Sequence, residues 1–292
     1  MTINPLNRIE QLRQMTRALE PDAGQRSEWR EQIIEYTEAF LGSLSQLPAY
    51  RVTEDKGIGI LDSPISEAPM PIEKVLELLS YHVDRPGGNH GTASGFLAFI
   101  PSGGGLYASA LADYIAAITN RYTGSSFTSP GAARMEKMMV RWIADFIGYP
   151  DTVAGDFTSG GSIANLSAIV TARDAHQLKA EVFPRAVVYL SDQTHHSVTR
   201  ALQIAGMKEC VMRHVPLDEH YRMQTEALEV AIRADMQSGL VPWLIVATAG
   251  TTDTGAVDPL PSIANIARDN QLWVHVDGAY GGMFALCEMG KE

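Results

Sequence analysis

Cysteine is scarce in this chain of 292 residues, which carries only Cys210 and Cys287. Two isolated cysteines cannot build a disulfide framework or a CxxC pair, so we expect a reducing compartment. Long hydrophobic runs are also missing, because the longest, such as AVVYL and WLIVA, are far too short to cross a bilayer. The polar amino terminus, MTINPLNRIEQLRQ, lacks the apolar core of a signal peptide. These absences predict a cytoplasmic protein without a membrane-spanning segment.

Positive charge is in short supply as well. The 23 Lys and Arg residues are outnumbered by 34 Asp and Glu residues, which gives a net charge of −11. Such a balance argues against a protein that binds nucleic acid or an anionic membrane. The hydrophobic share of 45% and the charged share of 20% are ordinary for a globular protein. The chain is therefore predicted to fold around a core and to bind neither nucleic acids nor membranes.

The first eighty residues are predicted to be mainly helical. Apolar residues recur at helical spacing between residues 6 and 19 and again between residues 29 and 44. We expect Ser27 to cap the second helix, Pro48 to lie beyond its end, and a short helix to start at Pro71. Two further helices, near residues 107–122 and 135–146, follow glycine-rich loops around the short strand FLAFI. Their Tyr and Met stripes are expected to belong to the core.

From about residue 155 onward, predicted strands alternate with amphipathic helices. The strands are AVVYL (186–190), CVMRHV (210–215), WLIVATA (243–249) and LWVHV (272–276). Short apolar strands separated by helices are typical of an α/β fold, in which a mostly parallel sheet is covered on both faces. Ligands of such sheets bind beyond the carboxyl ends of the strands. The residues that directly follow these strands are therefore the first candidates for function.

Small, polar and ionisable residues gather at that predicted edge. They form SDQTHHS (191–197), GTTDTG (250–255) and DGAYGG (277–282), and TSGGS (158–162) precedes a helix. Small residues at a helix N-terminus can bind an anion, and no Walker lysine follows, so a single phosphate monoester fits better than a nucleotide. The alternative interpretation of TSGGS is a Gly-Ser turn that only caps the helix.

Among the ionisable residues, Asp277 and the pair His195-His196 are the strongest candidates for a functional role. A carboxylate at the end of a buried strand can face a cationic ring nitrogen, although a metal ligand or a helix cap is also compatible with Asp277. Adjacent histidines at a strand end are expected to point in different directions, one stacking on a planar cofactor and the other exposed or bonded to backbone. His275 is expected to bond a neighbour beneath the site. No third ligand follows at the spacing of a zinc site, so no bound metal is predicted. The sequence also lacks the Gly-x-Ser-x-Gly motif that presents the nucleophilic serine of α/β-hydrolases, so a catalytic triad of that class is excluded.

Four segments in this order resemble the group II pyridoxal-phosphate-dependent amino-acid decarboxylases, which include the aromatic-amino-acid, tyrosine and glutamate decarboxylases. The segments are TSGGSIANL, YLSDQTHHSV, VATAGTTDTGAVDPL and LWVHVDGAYGG. The resemblance covers roughly residues 75–292 and implies the fold type I architecture of pyridoxal-phosphate enzymes, a mostly parallel sheet flanked by helices. It further implies an N-terminal helical segment (1–80) that wraps the partner subunit of a homodimer. Residues 81–292 then form the cofactor-binding large domain, incomplete at its C-terminal side.

The resemblance also implies the cofactor, pyridoxal phosphate, and the residues that hold it. The implied cofactor-binding positions are Gly161, Ser162, His195, Thr252, Asp277 and Ala279. Among them, the first two hold the phosphate, Asp277 pairs with the pyridine nitrogen, and His195 stacks on the ring and assists proton transfer. His195 and Asp277 are thus the implied catalytic residues. Pro101 and Ser102 lie where the family shapes its substrate pocket, and residues 122–127 lie where it reaches the second subunit's site.

The implied activity is decarboxylation of an L-amino acid to an amine and CO₂. Three glycines at 103–105 leave room for a bulky substrate, and that loop has no arginine to clamp a second carboxylate, so an aromatic substrate is favoured. The family's Schiff-base lysine lies beyond the last strand, and Lys291 has no preceding His, so the role is not transferred to it. We therefore expect a partial sequence that is inactive alone. The alternatives are a same-fold aminotransferase or carbon–carbon lyase, a lysine-less non-catalytic fragment, and a nucleotide-binding α/β protein.

Overall fold

The computed structural model describes residues 5–16, 19–54, 56–61, 69–88 and 105–290. The chain divides into two units, with the described residues through Gly105 in the first and those from Leu106 onward in the second. The strand FLAFI and the predicted pocket residues Pro101 and Ser102 lie outside the described residues, as does Lys291. None of the described helices combines the length and the apolar character that a membrane crossing requires.

The first unit contains the predicted helices. They are α1 (Pro5–Thr16), α2 (Ala23–Ser43) and α3 (Ile72–Leu79), and a two-stranded antiparallel pair joins β1 (Tyr50–Arg51) to β2 (Gly87–Gly88). The prediction that Ser27 caps the second helix is wrong. Asp22 is the N-cap, because its Oδ1 accepts from the Gln25 amide at 2.9 Å while Gln25 Oε1 accepts from the Asp22 amide at 3.2 Å. This reciprocal capping box starts the helix five residues earlier than expected, with the N-cap at Asp22 instead of Ser27.

The second unit is built on a four-stranded parallel sheet. Its strands are β3 (Ala186–Leu190), β4 (Val211–His214), β5 (Val241–Thr248) and β6 (Trp273–Asp277), in the spatial order β4-β3-β5-β6. The helices are α4 (Tyr107–Thr119), α5 (Pro130–Ile147), α6 (Gly161–Ala175), α7 (His196–Ile204), α8 (Thr225–Gln237) and α9 (Leu260–Asn270). The predicted α/β fold with a parallel sheet between helices is confirmed.

Alternate residues of the central strands build a core on each face of this sheet. On one face, Val188 and Val246 pack with residues of α6 and α7 such as Ile169. On the other face, Tyr189 and Ile245 pack with residues of α8 and α9. Helices pack on both faces of the sheet at β3, so all of its side chains are buried, which explains its unbroken apolar run.

The apolar stripe of α4 is not part of either core. The helix has no buried residue, and its large side chains are half or more exposed: Tyr107, Leu111, Tyr114, Ile115 and Ile118. In α5, Met135, Met139 and Trp142 are exposed as well, and the only buried residue is Ala144. The prediction that these stripes are core is therefore wrong for this single chain.

Candidate active site

A cavity of about 470 Å³ lies at the carboxyl edge of the sheet in the second unit. It is lined by the residues at the ends of β5 and β6, by the loop after β3, and by the first turn of α6. All six cofactor-binding positions inferred from the sequence line it: Gly161, Ser162, His195, Thr252, Asp277 and Ala279. Because parallel strands end at the same edge, residues up to about a hundred positions apart in the chain meet here.

The first turn of α6 offers amide groups to the cavity. The N-cap residue Gly160 has φ +147°, a conformation that side chains rarely adopt, and no side chain caps the helix. The first-turn N–H groups of Gly161 and Ser162 have no carbonyl partner within the helix, since a helix leaves its first amides unpaired. Together with the helix dipole, these amides form a site suited to a phosphate group.

Asp277 is the last residue of β6 and presents its carboxylate beside the cavity. Its Oδ1 accepts from the Ala279 amide at 3.2 Å, and its Oδ2 accepts from Asn165 Nδ2 at 3.3 Å. These two donors hold the carboxylate in one orientation, in which it can face a positively charged nitrogen inside the cavity.

The prediction that His195 and His196 lie at a strand end and point in different directions is wrong, because they start a helix and their rings are in contact. His195 is the N-cap of α7, where its Nδ1 accepts from the Ser197 amide at 3.3 Å, and His196 is the first residue of that helix. Only His195 lines the cavity, while His196 is exposed. The two rings still touch, with centroids 4.1 Å apart and planes tilted by 40°. His196 thus braces the His195 ring from outside the cavity.

His275 bonds a neighbour beneath the site, as predicted. Its Nε2 lies 2.7 Å from Asn165 Oδ1. Burial lowers the pKa of His275 below its ordinary value, and the Asp277 charge opposes this shift only in part. The ring is therefore neutral at pH 7, as expected when desolvation dominates.

Sequence reasoning assigned no role to three polar residues of the cavity wall, Asn165, Ser197 and Thr248, although Ser197 belongs to the candidate segment 191–197. The Thr248 hydroxyl is buried and has no hydrogen-bond partner, so it is available to a bound molecule. Asn165 is a buried amide one turn after Gly161 on α6. Its polar side chain among the apolar residues Ile163, Leu166 and Ile169 is the signal that could have identified it.

The donor set of the cavity fits a phosphorylated pyridine. Uncapped amides suit the phosphate, the Asp277 carboxylate suits a protonated ring nitrogen, the His195 ring suits an aromatic face, and the Thr248 hydroxyl is unpartnered. No lysine lines the cavity within the part of the chain that is described. In the same described ranges, no group of three or more His, Cys, Asp or Glu side chains could hold a metal ion.

Comparison with known protein families identifies one domain. The model of the "Pyridoxal-dependent decarboxylase conserved domain" matches residues 41–291. An aromatic-L-amino-acid decarboxylase of Bacillus atrophaeus is 40% identical over 210 residues, which cover 72% of this chain and 42% of that protein. Tryptophan decarboxylase 2 of Oryza sativa subsp. japonica is 30% identical over 277 residues, covering 91% of this chain and 55% of the relative. A phenylacetaldehyde synthase of Petunia hybrida is 34% identical over 229 residues, 75% of this chain and 45% of the relative.

Solved structures give the same result. Oryza sativa TDC with PLP and tryptamine superimposes with a TM-score of 0.83 at 27% identity, covering 92% of this chain and 58% of that one. Mouse CSAD superimposes with a TM-score of 0.78 at 26% identity, and the match covers 92% of this chain and 58% of the mouse chain. The chain thus spans about half the length of the curated relatives it matches.

Proposed function

Because the chain belongs to the pyridoxal-dependent decarboxylase family, we propose that the protein removes the α-carboxylate of an L-amino acid and releases an amine and CO₂. The observation that carries this proposal is the meeting of six separately predicted positions around one cavity, with Asp277 and His195 on its wall. The arrangement offers a site for a phosphate, for a ring nitrogen and for a ring face at once. That combination supports a pyridoxal phosphate enzyme over a nucleotide-binding protein.

The residues of this chain have distinct tasks in the reaction. When bound, pyridoxal phosphate supplies an electron sink for the electron pair left by the departing carboxylate. The amides of Gly161 and Ser162 bind the phosphate, and the Asp277 carboxylate holds a proton on the ring nitrogen, which favours electron acceptance. His195, on the cavity wall, would cover one face of the ring and assist proton transfer. Thr252 and Ala279 complete the wall around the ring.

We further propose that the substrate is an aromatic amino acid. Curated relatives named for aromatic-L-amino-acid, tryptophan and tyrosine decarboxylation, at 40%, 30% and 30% identity, support this substrate class. Pro101 and Ser102 are proposed to shape its pocket. The relatives named phenylacetaldehyde synthase, at 31% and 34% identity, support a second candidate, in which an aromatic amino acid, dioxygen and water yield an aldehyde, CO₂, ammonia and hydrogen peroxide.

The functional test measures products directly. The cofactor-loaded protein is incubated with carboxyl-labelled tryptophan, tyrosine, phenylalanine and glutamate, and labelled CO₂ and the organic product are quantified. We expect CO₂ and an aromatic amine, and a loss of at least about a hundredfold in rate for Asp277→Asn, which keeps the shape but removes the charge. An aldehyde would favour the second candidate. A keto acid without CO₂ would overturn the decarboxylase proposal in favour of an aminotransferase.

The lysine that joins the cofactor can be found in the same preparation. Borohydride reduction of the loaded protein fixes pyridoxal phosphate to that lysine, and intact-mass and peptide mass spectrometry then locate it. We expect one adduct per chain in the active protein. A native protein that carries no adduct would support the non-catalytic alternative.

We also propose a cytoplasmic homodimer in which residues 1–80 wrap the partner and residues 81–292 form the cofactor-binding domain. The exposed apolar stripe of α4 supports a partner, since soluble monomers rarely expose a continuous apolar patch of this kind. Leu111→Lys in that stripe should shift the protein to a monomer in sedimentation velocity, whereas Ser109→Lys on the opposite side of α4 should not. A wild-type monomer at micromolar concentration would contradict the dimer.

A further inference from the structure

Asn165 sits at the centre of a hydrogen-bond network beneath the cavity. It is only 6% exposed and lies on α6, one turn after the amides of Gly161 and Ser162. Its side chain reaches three residues on two other elements of the second unit: one at the start of α7 and two in β6. Because a buried polar group without a hydrogen-bond partner destabilises the folded state, these three hydrogen bonds hold the Asn165 amide in one orientation.

The direction of each bond follows from the chemistry of the partners. The Asp277 carboxylate only accepts hydrogen bonds, so the atom of Asn165 that faces its Oδ2 at 3.3 Å must be the NH₂ group. The amide oxygen therefore faces His275, whose Nε2 at 2.7 Å must carry the hydrogen. The lowered pKa of the buried His275 agrees with a neutral ring in this single tautomer.

The second hydrogen of the Asn165 amide sets the orientation of a hydroxyl. Asn165 Nδ2 donates to Ser197 Oγ at 2.8 Å, and Ser197 is 2% exposed. Ser197 Oγ also lies 2.7 Å from His195 Nδ1. The Ser197 amide donates to the same nitrogen at 3.3 Å, so Nδ1 is an acceptor and the Ser197 hydroxyl donates its hydrogen to it. His195 Nδ1 therefore accepts two hydrogen bonds, and the ring proton resides on Nε2.

We propose that Asn165 is a positioning residue that holds the Asp277 carboxylate directly and fixes the tautomer of His195 through Ser197. It does so from α6, the helix whose first turn offers amides to the phosphate. One rigid helix thereby sets the relative positions of the phosphate, ring-nitrogen and ring-face contacts. The inference rests on the proposed function for its meaning, but the hydrogen-bond network itself can be measured without any cofactor.

The first test measures ring tautomers by long-range ¹H–¹⁵N correlation spectra of the ¹⁵N-labelled full chain without cofactor. In the wild type we expect His195 and His275 to carry their protons on Nε2. Asn165→Leu keeps the size of the side chain but removes its polar atoms, so the Nε2–H fraction of His195 should fall clearly. Thr171→Val on the same helix removes a hydroxyl that, among the described residues, bonds the Ser167 carbonyl alone, at 2.8 Å, and should leave both tautomers unchanged.

The second test measures cofactor affinity by absorbance and fluorescence titration with pyridoxal phosphate. We expect Asn165→Leu to weaken binding at least about tenfold, since hydrogen bonds to a charged group are among the stronger ones, and Thr171→Val to change it less than twofold. A purely structural role would lower the unfolding temperature but would leave the His195 tautomer intact. An unchanged tautomer together with wild-type affinity in Asn165→Leu would overturn the proposal.

A milder variant keeps the test decisive if Asn165→Leu does not fold. Ser197→Ala removes the hydroxyl that lies 2.7 Å from His195 Nδ1 but keeps the Ser197 amide, so it should lower the Nε2–H fraction of His195 while leaving the tautomer of His275 as in the wild type. An unchanged His195 tautomer in Ser197→Ala would overturn the proposal. Failure of the wild type to bind pyridoxal phosphate would instead contradict the proposed function, and the tautomer measurements would still decide on the network.

Discussion

Gly281 allows the loop after β6 to pack directly against the end of β5. Its amide donates to the Ala249 carbonyl at 2.8 Å. A Cβ built on Gly281 would lie 2.1 Å from that carbonyl oxygen and 2.7 Å from its carbon, well inside ordinary contact distance. Because both partners are backbone, neither can rotate away, and Gly281→Ala must push the two segments apart by at least about 1 Å.

The expected cost of Gly281→Ala has two parts. Overpacking a rigid contact costs about 1–3 kcal/mol, and loss of the amide–carbonyl hydrogen bond adds about 0.5–1.5 kcal/mol. A total of about 2–4 kcal/mol corresponds to a fall in Tm of about 4–16 °C for a chain of this size. The displaced loop carries Ala279 and Tyr280, which line the cavity, so cofactor affinity should fall in parallel.

The neighbouring glycine provides the matched control. A Cβ on Gly282 would meet no atom within 4 Å, so Gly282→Ala should leave Tm unchanged or raise it slightly. Thermal unfolding of both variants, followed by circular dichroism and repeated with pyridoxal phosphate, compares the two positions. Equal Tm values for the two variants would refute the argument from backbone contact at Gly281.

Three further predictions concern thiol reactivity, pH and a buried charge. Burial raises the pKa of Cys210 to about 11, so iodoacetamide at pH 8 should alkylate the exposed Cys287 quickly and Cys210 only in denaturant. Rapid alkylation of both thiols, measured by mass spectrometry, would contradict this prediction. The pKa of His275 in the folded chain lies below its ordinary 6.5, so on acidification the unfolded chain binds a proton before the folded chain does. The stability that neutral His275 contributes is therefore complete above about pH 6.5 and is lost as the pH falls towards the folded-state pKa. His275→Gln should reduce the fall in Tm between pH 7.5 and 5.5. The buried Asp235 carboxylate accepts hydrogen bonds from the Tyr189 hydroxyl at 2.9 Å and from Arg213. In urea unfolding, Asp235→Ala should lower the free energy of unfolding by about 3 kcal/mol, and Tyr189→Phe should lower it by only about 1 kcal/mol. Equal losses would show that the carboxylate is not the centre of this cluster.

Local sequence patterns were sufficient for most elements of the second unit. The run AVVYL coincides with β3, and TSGGS spans the start of α6, because apolar runs of strand length and glycine-rich helix starts depend on neighbouring residues alone. The cavity residues that follow strands were predicted for the same reason, since the carboxyl ends of parallel strands share one edge.

Some predictions failed where two local patterns compete or where a partner is needed. Ser27 and Asp22 are both good N-cap residues, and the reciprocal bond with Gln25 decided for Asp22. The stripe of α4 has the spacing of a core helix, but periodicity shows only that a face is apolar and not what covers it. The histidine pair proved to start a helix, because the chain turns into α7 immediately after the loop.

By itself, the sequence determined the alternation of strands and helices, the phosphate-suited start of α6, and the placement of Asp277 and His195 at one edge of the sheet. Only the tertiary structure decided that Asn165 connects them. Asn165 is 32 residues from Ser197, 110 from His275 and 112 from Asp277 in the chain. Periodicity acts over a few neighbouring residues, whereas a hydrogen bond needs two atoms within about 3 Å in a fixed direction. Such a geometry exists only after the sheet and its covering helices have packed.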